Sequence, residues 1–159
     1  MKLIVAVDRK WGIGKDNELL YNIPADKKFF KKMTMNKTVV MGRNTYKSIG
    51  GALLGRDNIV ITTKYIHNSD RLVFMRLSEF LFRMDILHNT DNYFIIGGEM
   101  LYNKMIDKCD ELFITHIDSE AEADRFFPDP TKHGFIRGEI IKSGKHNDIN
   151  YEIVKWIKK

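Results

Sequence analysis

One cysteine stands among the 159 residues. Cys109 excludes an internal disulfide and fits a reducing cytosol. It lies in "DKCDEL" with no suggestive base beside it, so a structural thiol is expected rather than a nucleophile. No stretch approaches the run of about 18 apolar residues that spans a membrane. The opening "MKLIVAVDRK" is too short and too soon charged to read as a signal peptide. A cytoplasmic protein without a membrane partner is expected. The five histidines (67, 88, 116, 133 and 146) never fall at metal-ligand spacing, so no metal is assigned. The net charge of +5 comes from scattered Lys and Arg, not from a basic block, and no nucleic-acid partner is expected. There is no internal repeat, low-complexity tract or linker.

What is present is a soluble, globular composition, 43% hydrophobic and 30% charged, of a length that suits one domain over residues 1–159. Apolar runs rich in β-branched residues recur as "KLIVAV", "TVVMG", "NIVITT", "RLVFM", "NYFIIGG" and "ELFITHI". Helical patterns lie between several of them: residues 24–35, a short one after Gly42, "LSEFLFRMDILH" starting from a Ser78 cap, and "GEMLYNKMIDK". This alternation predicts an α/β domain with a largely parallel central sheet. Towards the C-terminus, "GFIRGEIIKSG" and "INYEIVKWIK" are joined by the polar "KHND", which predicts an antiparallel hairpin at the sheet end.

The helix at "NIPADKKFFKKMTM" carries an anomaly. Pro24 suits a first helical turn, because its missing N–H would find no partner there anyway. Wound at about 100° per residue, Asp26, Phe29, Phe30 and Met33 share one face, and Lys27, Lys28, Lys31 and Lys32 share the other. A carboxylate on the oily face costs free energy unless something pairs with it. Two readings stand: a paired, functional acid, or a helix-start residue favoured by the dipole and turned to water.

Ligands of open α/β sheets bind at the carboxyl ends of the strands, and two clusters fall there. In "VVMGRNT", Gly42 ends a strand while Arg43, Asn44 and Thr45 begin a helix, a composition that suits phosphate. In "FIIGGEMLY", two glycines follow a buried strand and admit close approach of another molecule. Plain turns explain either cluster alone, and the G-x-G-x-x-G fingerprint is absent. Together they favour a ligand with two phosphate-bearing ends, such as a dinucleotide. The long loop "DRKWGIGKDNELLYNIP" reads as a lid, or as a packed surface loop anchored by Trp11.

The ordered set "IVAVD", "GIG", "IPAD", "VVMGRNTYKSIG", "GRDNIVIT", "FIIGGEMLY", "ITHID" and "FFPD" covers nearly the whole chain. With these motifs it closely resembles the bacterial chromosomal type of dihydrofolate reductase. The resemblance implies that family's fold: a mostly parallel eight-stranded central sheet with an antiparallel C-terminal strand and helices on both faces. It implies reduction of 7,8-dihydrofolate to tetrahydrofolate by a monomer with NADPH, within one-carbon metabolism, and sensitivity to antifolate inhibitors. Asp26 matches the acid that hydrogen-bonds the 2-amino group and N3 of the pteridine, with Thr115 as its threonine partner. Tyr21 stands where most bacterial members carry tryptophan, and completes the catalytic set.

By the same motifs, Val5 and Ala6 line the pteridine from the first strand. Phe30, Ile49, Leu53 and Ile96 form apolar walls, with Lys27 at the rim. Arg56 matches the arginine that binds the α-carboxylate of the glutamate tail, in a bidentate geometry that Lys lacks. Ala6, Ile13 and Gly14 meet the nicotinamide end of the cofactor. Gly42, Arg43, Asn44, Thr45, Thr62 and Thr63 hold the 2′-phosphate side and the pyrophosphate. Gly97, Gly98, Glu99, Met100, Leu101 and Tyr102 wrap the rest, Tyr102 also bordering the substrate, and the family has a cis peptide between the two glycines. This chain departs from the pattern at Lys27, at Ala52 and Leu54 (which replace two common prolines), and at Trp11 in the lid. Two other functions remain: a reductase of a phosphorylated pyrimidine in riboflavin synthesis on the same fold, which needs neither Asp26 nor Arg56, and a module that binds folate and NADPH without turnover.

Overall fold

A computed structural model describes residues 1–159. In chain order its first elements are β1 (Lys2–Val7), β2 (Gly12–Lys15), β3 (Glu18–Leu19), α1 (Pro24–Thr34), β4 (Thr38–Gly42), α2 (Arg43–Ile49), β5 (Asp57–Ile61) and β6 (Leu72–Met75). There follow α3 (Leu77–Ile86), β7 (Tyr93–Gly97), α4 (Glu99–Met105), β8 (Glu111–Ile117), β9 (Arg125–Phe126), β10 (Phe135–His146) and β11 (Ile149–Lys158). Eight strands form one sheet in the order β10-β11-β8-β1-β7-β4-β5-β6. β11 alone runs against the rest, antiparallel to both β8 and β10. The C-terminal hairpin forms as expected, and its turn is Asn147–Asp148, both at positive φ (47° and 64°). That geometry matches the right-handed twist of the strands it joins, and Asn and Asp tolerate it.

The strand period of two divides the core by face. On β1, Leu3, Val5 and Val7 join Phe80 of α3 and Leu101 and Met105 of α4. Ile4 points the other way and joins Val39, Met41, Phe94, Ile96 and Phe113, against Phe29, Phe30 and Met33 of α1 and Tyr46 of α2. The sheet is therefore covered on both sides, which is why its parallel strands read as continuous apolar runs. Each fully buried aliphatic or aromatic side chain here contributes roughly 1.5–3 kcal/mol. No helix is long and apolar enough to cross a membrane.

Three local expectations are corrected. α3 starts at Leu77 with Arg76 in the capping position, and no side chain caps it. β6 ends at Met75, so one residue separates strand from helix, and Ser78 falls inside the first turn. The pattern "GEMLYNKMIDK" breaks after Met105 into a 3₁₀ turn, Ile106–Lys108. The loop from Asp8 to Ile23 is not structureless: β2 pairs with β3 and with β9 in a small second sheet. Cys109 is fully buried, its thiol donates to the Met105 carbonyl (3.3 Å), and burial pushes its pKa up to about 12. It is a structural thiol.

Candidate active site

The sheet opens between β1 and β7. These parallel neighbours pair only at Lys2–Phe94 and Leu3–Ile95 and then part. Beyond that point the Tyr102 hydroxyl, from α4, donates to the Ile4 carbonyl at 2.9 Å. The bond satisfies a backbone acceptor that the departing strand leaves without a partner. Burial, with the Asp26 charge as a lesser cause, holds the Tyr102 phenol well above its ordinary pKa, so it stays a donor. The strands part at the carboxyl end of the sheet, where α/β proteins bind ligands.

Asp26 and Thr115 meet across this opening. Thr115, two residues before the end of β8, is buried, and its hydroxyl donates to Asp26 Oδ1 at 2.5 Å. Ala6 pairs with Thr115 in the ladder and shares the face that α1 covers. Burial raises the Asp26 pKa, while the Thr115 hydrogen bond pulls it down to a lesser degree. The helix wheel is thus answered: Phe29, Phe30 and Met33 pack on the core and Asp26 has a dedicated donor. The four lysines of α1 are exposed, Lys27 among them, so Lys27 turns to solvent. Tyr21 packs in the small cluster of Ile23, Ile117, Tyr151 and Ile153, and its buried hydroxyl bonds to no protein atom. Val5 shares the opening only through its backbone, because its side chain belongs to the opposite face.

Along α1 from Asp26, a cleft of about 630 Å³ is lined by Met35, Ile49, Leu53, Leu54 and Arg56. Arg56 is 6% exposed. Its Nε donates to the Leu54 carbonyl (2.9 Å) and one terminal nitrogen donates to Thr34 Oγ1 (3.1 Å). Burial lowers its pKa. Arg9, Arg71, Arg83, Arg125 and Arg137 each pair with a carboxylate, whereas Arg43, Arg56 and the exposed Arg76 do not, and of these three only Arg56 is buried. A buried guanidinium without an anion is costly and fits an anionic ligand group. Thr34 and Asn58 escaped the sequence reading. The Asn58 amide donates to the carbonyls of Leu53 and Arg56 and accepts the Leu53 N–H, so it fixes the loop that carries Arg56. Its signal was an asparagine inside an apolar strand run. Ile96 joins the apolar wall from β7.

The two glycine clusters form a single cradle. β4 and β7 are neighbours, and a Cβ built on Gly42 would lie 3.8 Å from the Gly98 nitrogen. The Gly97–Gly98 peptide is cis. Gly97 has φ +132°, and a Cβ there would meet Thr45 Oγ1 at 3.3 Å and the Tyr102 hydroxyl at 3.4 Å. Only glycine suits that backbone and that space. Arg43 is half-buried and Asn44 exposed at the start of α2. Thr62 is buried at the end of β5, its hydroxyl accepting the Lys64 N–H, and Thr63 is exposed. Met100 is exposed, whereas the Leu101 side chain lies in the core and only its backbone faces the turn.

The loop from Asp8 to Ile23 is tied down at both its root and its tip. Its root is tied by buried Asp8, which accepts N–H bonds from Lys10, Gly12 and Ala121. Its tip reaches α2, where Ser48 Oγ donates to the Asn17 carbonyl at 2.7 Å. Trp11 anchors it, with its ring against His116, Phe127 and Trp156. The expected Trp11 anchor is thus present in this loop. Ile13 packs on the core, and Gly14 sits where a Cβ would strike the Glu18 carbonyl at 2.9 Å. A larger depression of about 770 Å³ lies behind the loop root, lined by Asp8, Trp11, His116, Asp118, Lys145 and Glu152, and includes neither Asp26, Arg56 nor the glycine cradle. No group of three or more His, Cys, Asp or Glu side chains is arranged to hold a metal ion.

Comparison with known proteins agrees with this geometry. The family model described as dihydrofolate reductase matches residues 1–158. The dihydrofolate reductase of Bacillus subtilis is 34% identical, over all of this chain and 95% of its own length. That of Buchnera aphidicola is 37% identical, over all of this chain and 98% of its own. A solved dihydrofolate reductase from Enterococcus faecalis, complexed with NADP(H) and RAB-propyl, superposes with a TM-score of 0.85. It is 27% identical and covers 99% of this chain, which covers 95% of it. A model that spans the sequence, and relatives above 30% identity along its whole length, leave one assignment: the chain belongs to the dihydrofolate reductase family.

Proposed function

We propose that residues 1–159 act as one monomeric domain that reduces 7,8-dihydrofolate to 5,6,7,8-tetrahydrofolate with NADPH. The observation that carries this reading is the pair of groups at the two ends of α1: Asp26 in its first turn, bonded to Thr115, and Arg56, buried without an acid partner, bonded to Thr34 at its last residue. The first suits the donor edge of a pteridine and the second suits the carboxylate of a glutamate tail. Ile49 and Leu53 line the cleft beside Arg56. The cofactor side fits a dinucleotide, because a side chain at Gly97 or Gly98 would meet the Thr45 hydroxyl, and the half-buried Arg43 at the start of α2 has no acid partner. Gly42, Arg43, Asn44, Thr45, Thr62 and Thr63 would hold the phosphates, and Gly97 to Tyr102 the turn beyond them. When bound, NADPH supplies the hydride, which the substrate receives at C6.

The protein's own task is to orient the pteridine and manage one proton. Asp26 accepts from N3 and the 2-amino group, and Thr115 fixes which way its carboxylate points. A carboxylate with a raised pKa in an apolar cleft favours the protonated substrate, and N5 takes the proton that completes the reduction. Tyr21 offers a buried hydroxyl on the same side of the sheet. The lid excludes water from the nicotinamide end through Ile13 and Gly14. The test is direct: mix protein, NADPH and dihydrofolate, and follow the loss of reduced-nicotinamide absorbance. Turnover supports the reading. Binding of both ligands without turnover replaces it with a binding module, and turnover of a ribosylated pyrimidine alone replaces it with the riboflavin-branch reductase.

A further inference from the structure

Glu99 is the first residue of α4, directly after the cis Gly97–Gly98 turn. Its side chain does not turn into the glycine cradle. Glu99 Oε1 accepts the Phe126 N–H at 3.2 Å, and Oε2 lies 4.0 Å from Arg125 Nε. Arg125 and Phe126 are β9, the outer strand of the small sheet, and they pair with Gly14 and Gly12 of the lid strand β2. Two nearby amides already serve the lid: Asp124 N–H donates to the Gly14 carbonyl and Phe127 N–H to the Trp11 carbonyl. The Phe126 N–H turns away from β2 and takes Glu99 instead. A second contact runs beside the first, for the Tyr102 ring packs edge-on against Phe127 at 5.1 Å, and Phe127 packs on Trp11.

We propose that Glu99 is a positioning residue that latches the lid to the turn receiving the cofactor, acting through the Phe126 amide. The latch rests on the reading of that turn as a dinucleotide site. A shift of Gly97–Gly98 moves Glu99, Glu99 moves β9, and β9 carries β2 with it, so occupancy of the turn and closure of the lid are linked. The acceptor oxygen, not the charge, makes the main bond, because the Arg125 contact is long and exposed. Glutamine at this position keeps the oxygen, and alanine removes it.

The experiment compares the wild-type protein with Glu99→Ala and Glu99→Gln by amide hydrogen exchange without ligand, and by the rate of NADPH release. In Glu99→Ala, exchange at Phe126 and along Gly12–Lys15 should speed up roughly three- to tenfold, the range of one net hydrogen bond. Exchange at Ile95 in the central sheet should not change. NADPH release should accelerate by a similar factor, with dihydrofolate affinity unaltered, and Glu99→Gln should restore both. Unchanged exchange at Phe126 in the alanine variant overturns the latch, as does a glutamine variant no better than alanine. A wild-type protein that fails to bind NADPH overturns the cofactor reading instead, and leaves the exchange comparison to decide the latch.

Discussion

The proposed function gives Arg56 and Arg43 the same task, to receive an anionic ligand group, yet their surroundings are opposite. Arg56 is 6% exposed and held by the Leu54 carbonyl and Thr34, on a loop that Asn58 ties down from inside. Arg43 is half-buried at the mouth of a cradle made mostly of backbone, beside exposed Asn44. The half proposed for the substrate is therefore built in advance, with side chains fixed by other side chains, and the half proposed for the cofactor is not. The cofactor half is built by leaving atoms out, at Gly42, Gly97 and Gly98. A preorganised half loses function when one polar atom is removed, since its partners are already desolvated. An open half loses mainly the contact itself.

The largest expected effect tests the fixed half at its centre. Asp26→Asn should keep the fold and slow hydride transfer at neutral pH by about 10²–10⁴-fold, the usual span for a missing acid–base group. Lowering the pH should partly restore the rate, and NADPH affinity should barely move. Single-turnover rates against pH check this; a variant as fast as wild type at neutral pH removes the role. Stability should go the other way. The folded Asp26 pKa lies above its ordinary value of 3.8, so ionisation opposes folding. The resulting stability is complete below the ordinary value and is lost as pH rises through the raised one. Asparagine escapes that loss, so the variant should melt no lower than wild type at neutral pH, and its advantage should vanish in acid.

Next in size is Arg56→Leu. Dihydrofolate affinity should fall by about 1.5–3 kcal/mol, the range for a hydrogen bond to a charged group. A small pteridine or inhibitor without the glutamate should lose far less, and calorimetry on both ligands separates the two. Equal losses would make Arg56 structural. Arg43→Ala gives the matching number for the open half, also about 1.5–3 kcal/mol against NADPH, with NADH nearly unchanged. Equal losses for both cofactors would show that Arg43 does not read the 2′-phosphate. The smallest effect sharpens the comparison most. Thr34→Val keeps the shape but removes the acceptor of Arg56, and should weaken dihydrofolate by about 0.5–1.5 kcal/mol while leaving NADPH alone. In the Arg56→Leu background that loss should disappear, because the two act as one unit.

The sequence by itself determined the strands and the two faces of the core, because a period of two in β-branched runs and a wheel of 3.6 in α1 depend only on local geometry. It set the question of Asp26, on one face with Phe29, Phe30 and Met33, but left a paired acid and a helix-start residue turned to water both open. It placed Gly42 and Gly97–Gly98 at strand ends, where close approach is possible. Tertiary structure alone decided that those two turns touch, because strand order is set by crossovers that no local pattern records. It alone chose Thr115 for Asp26 and Thr34 for Arg56, pairs 89 and 22 residues apart. It packed the Val5 side chain on the face of the sheet opposite α1 and turned Lys27 out to solvent. It also gave Glu99 to the lid rather than to the cradle, since the position of β9 depends on chain that returns from the far side of β8. Periodicity speaks for a residue and its near neighbours, whereas a hydrogen bond across the fold exists only once the whole sheet has fixed where each strand ends.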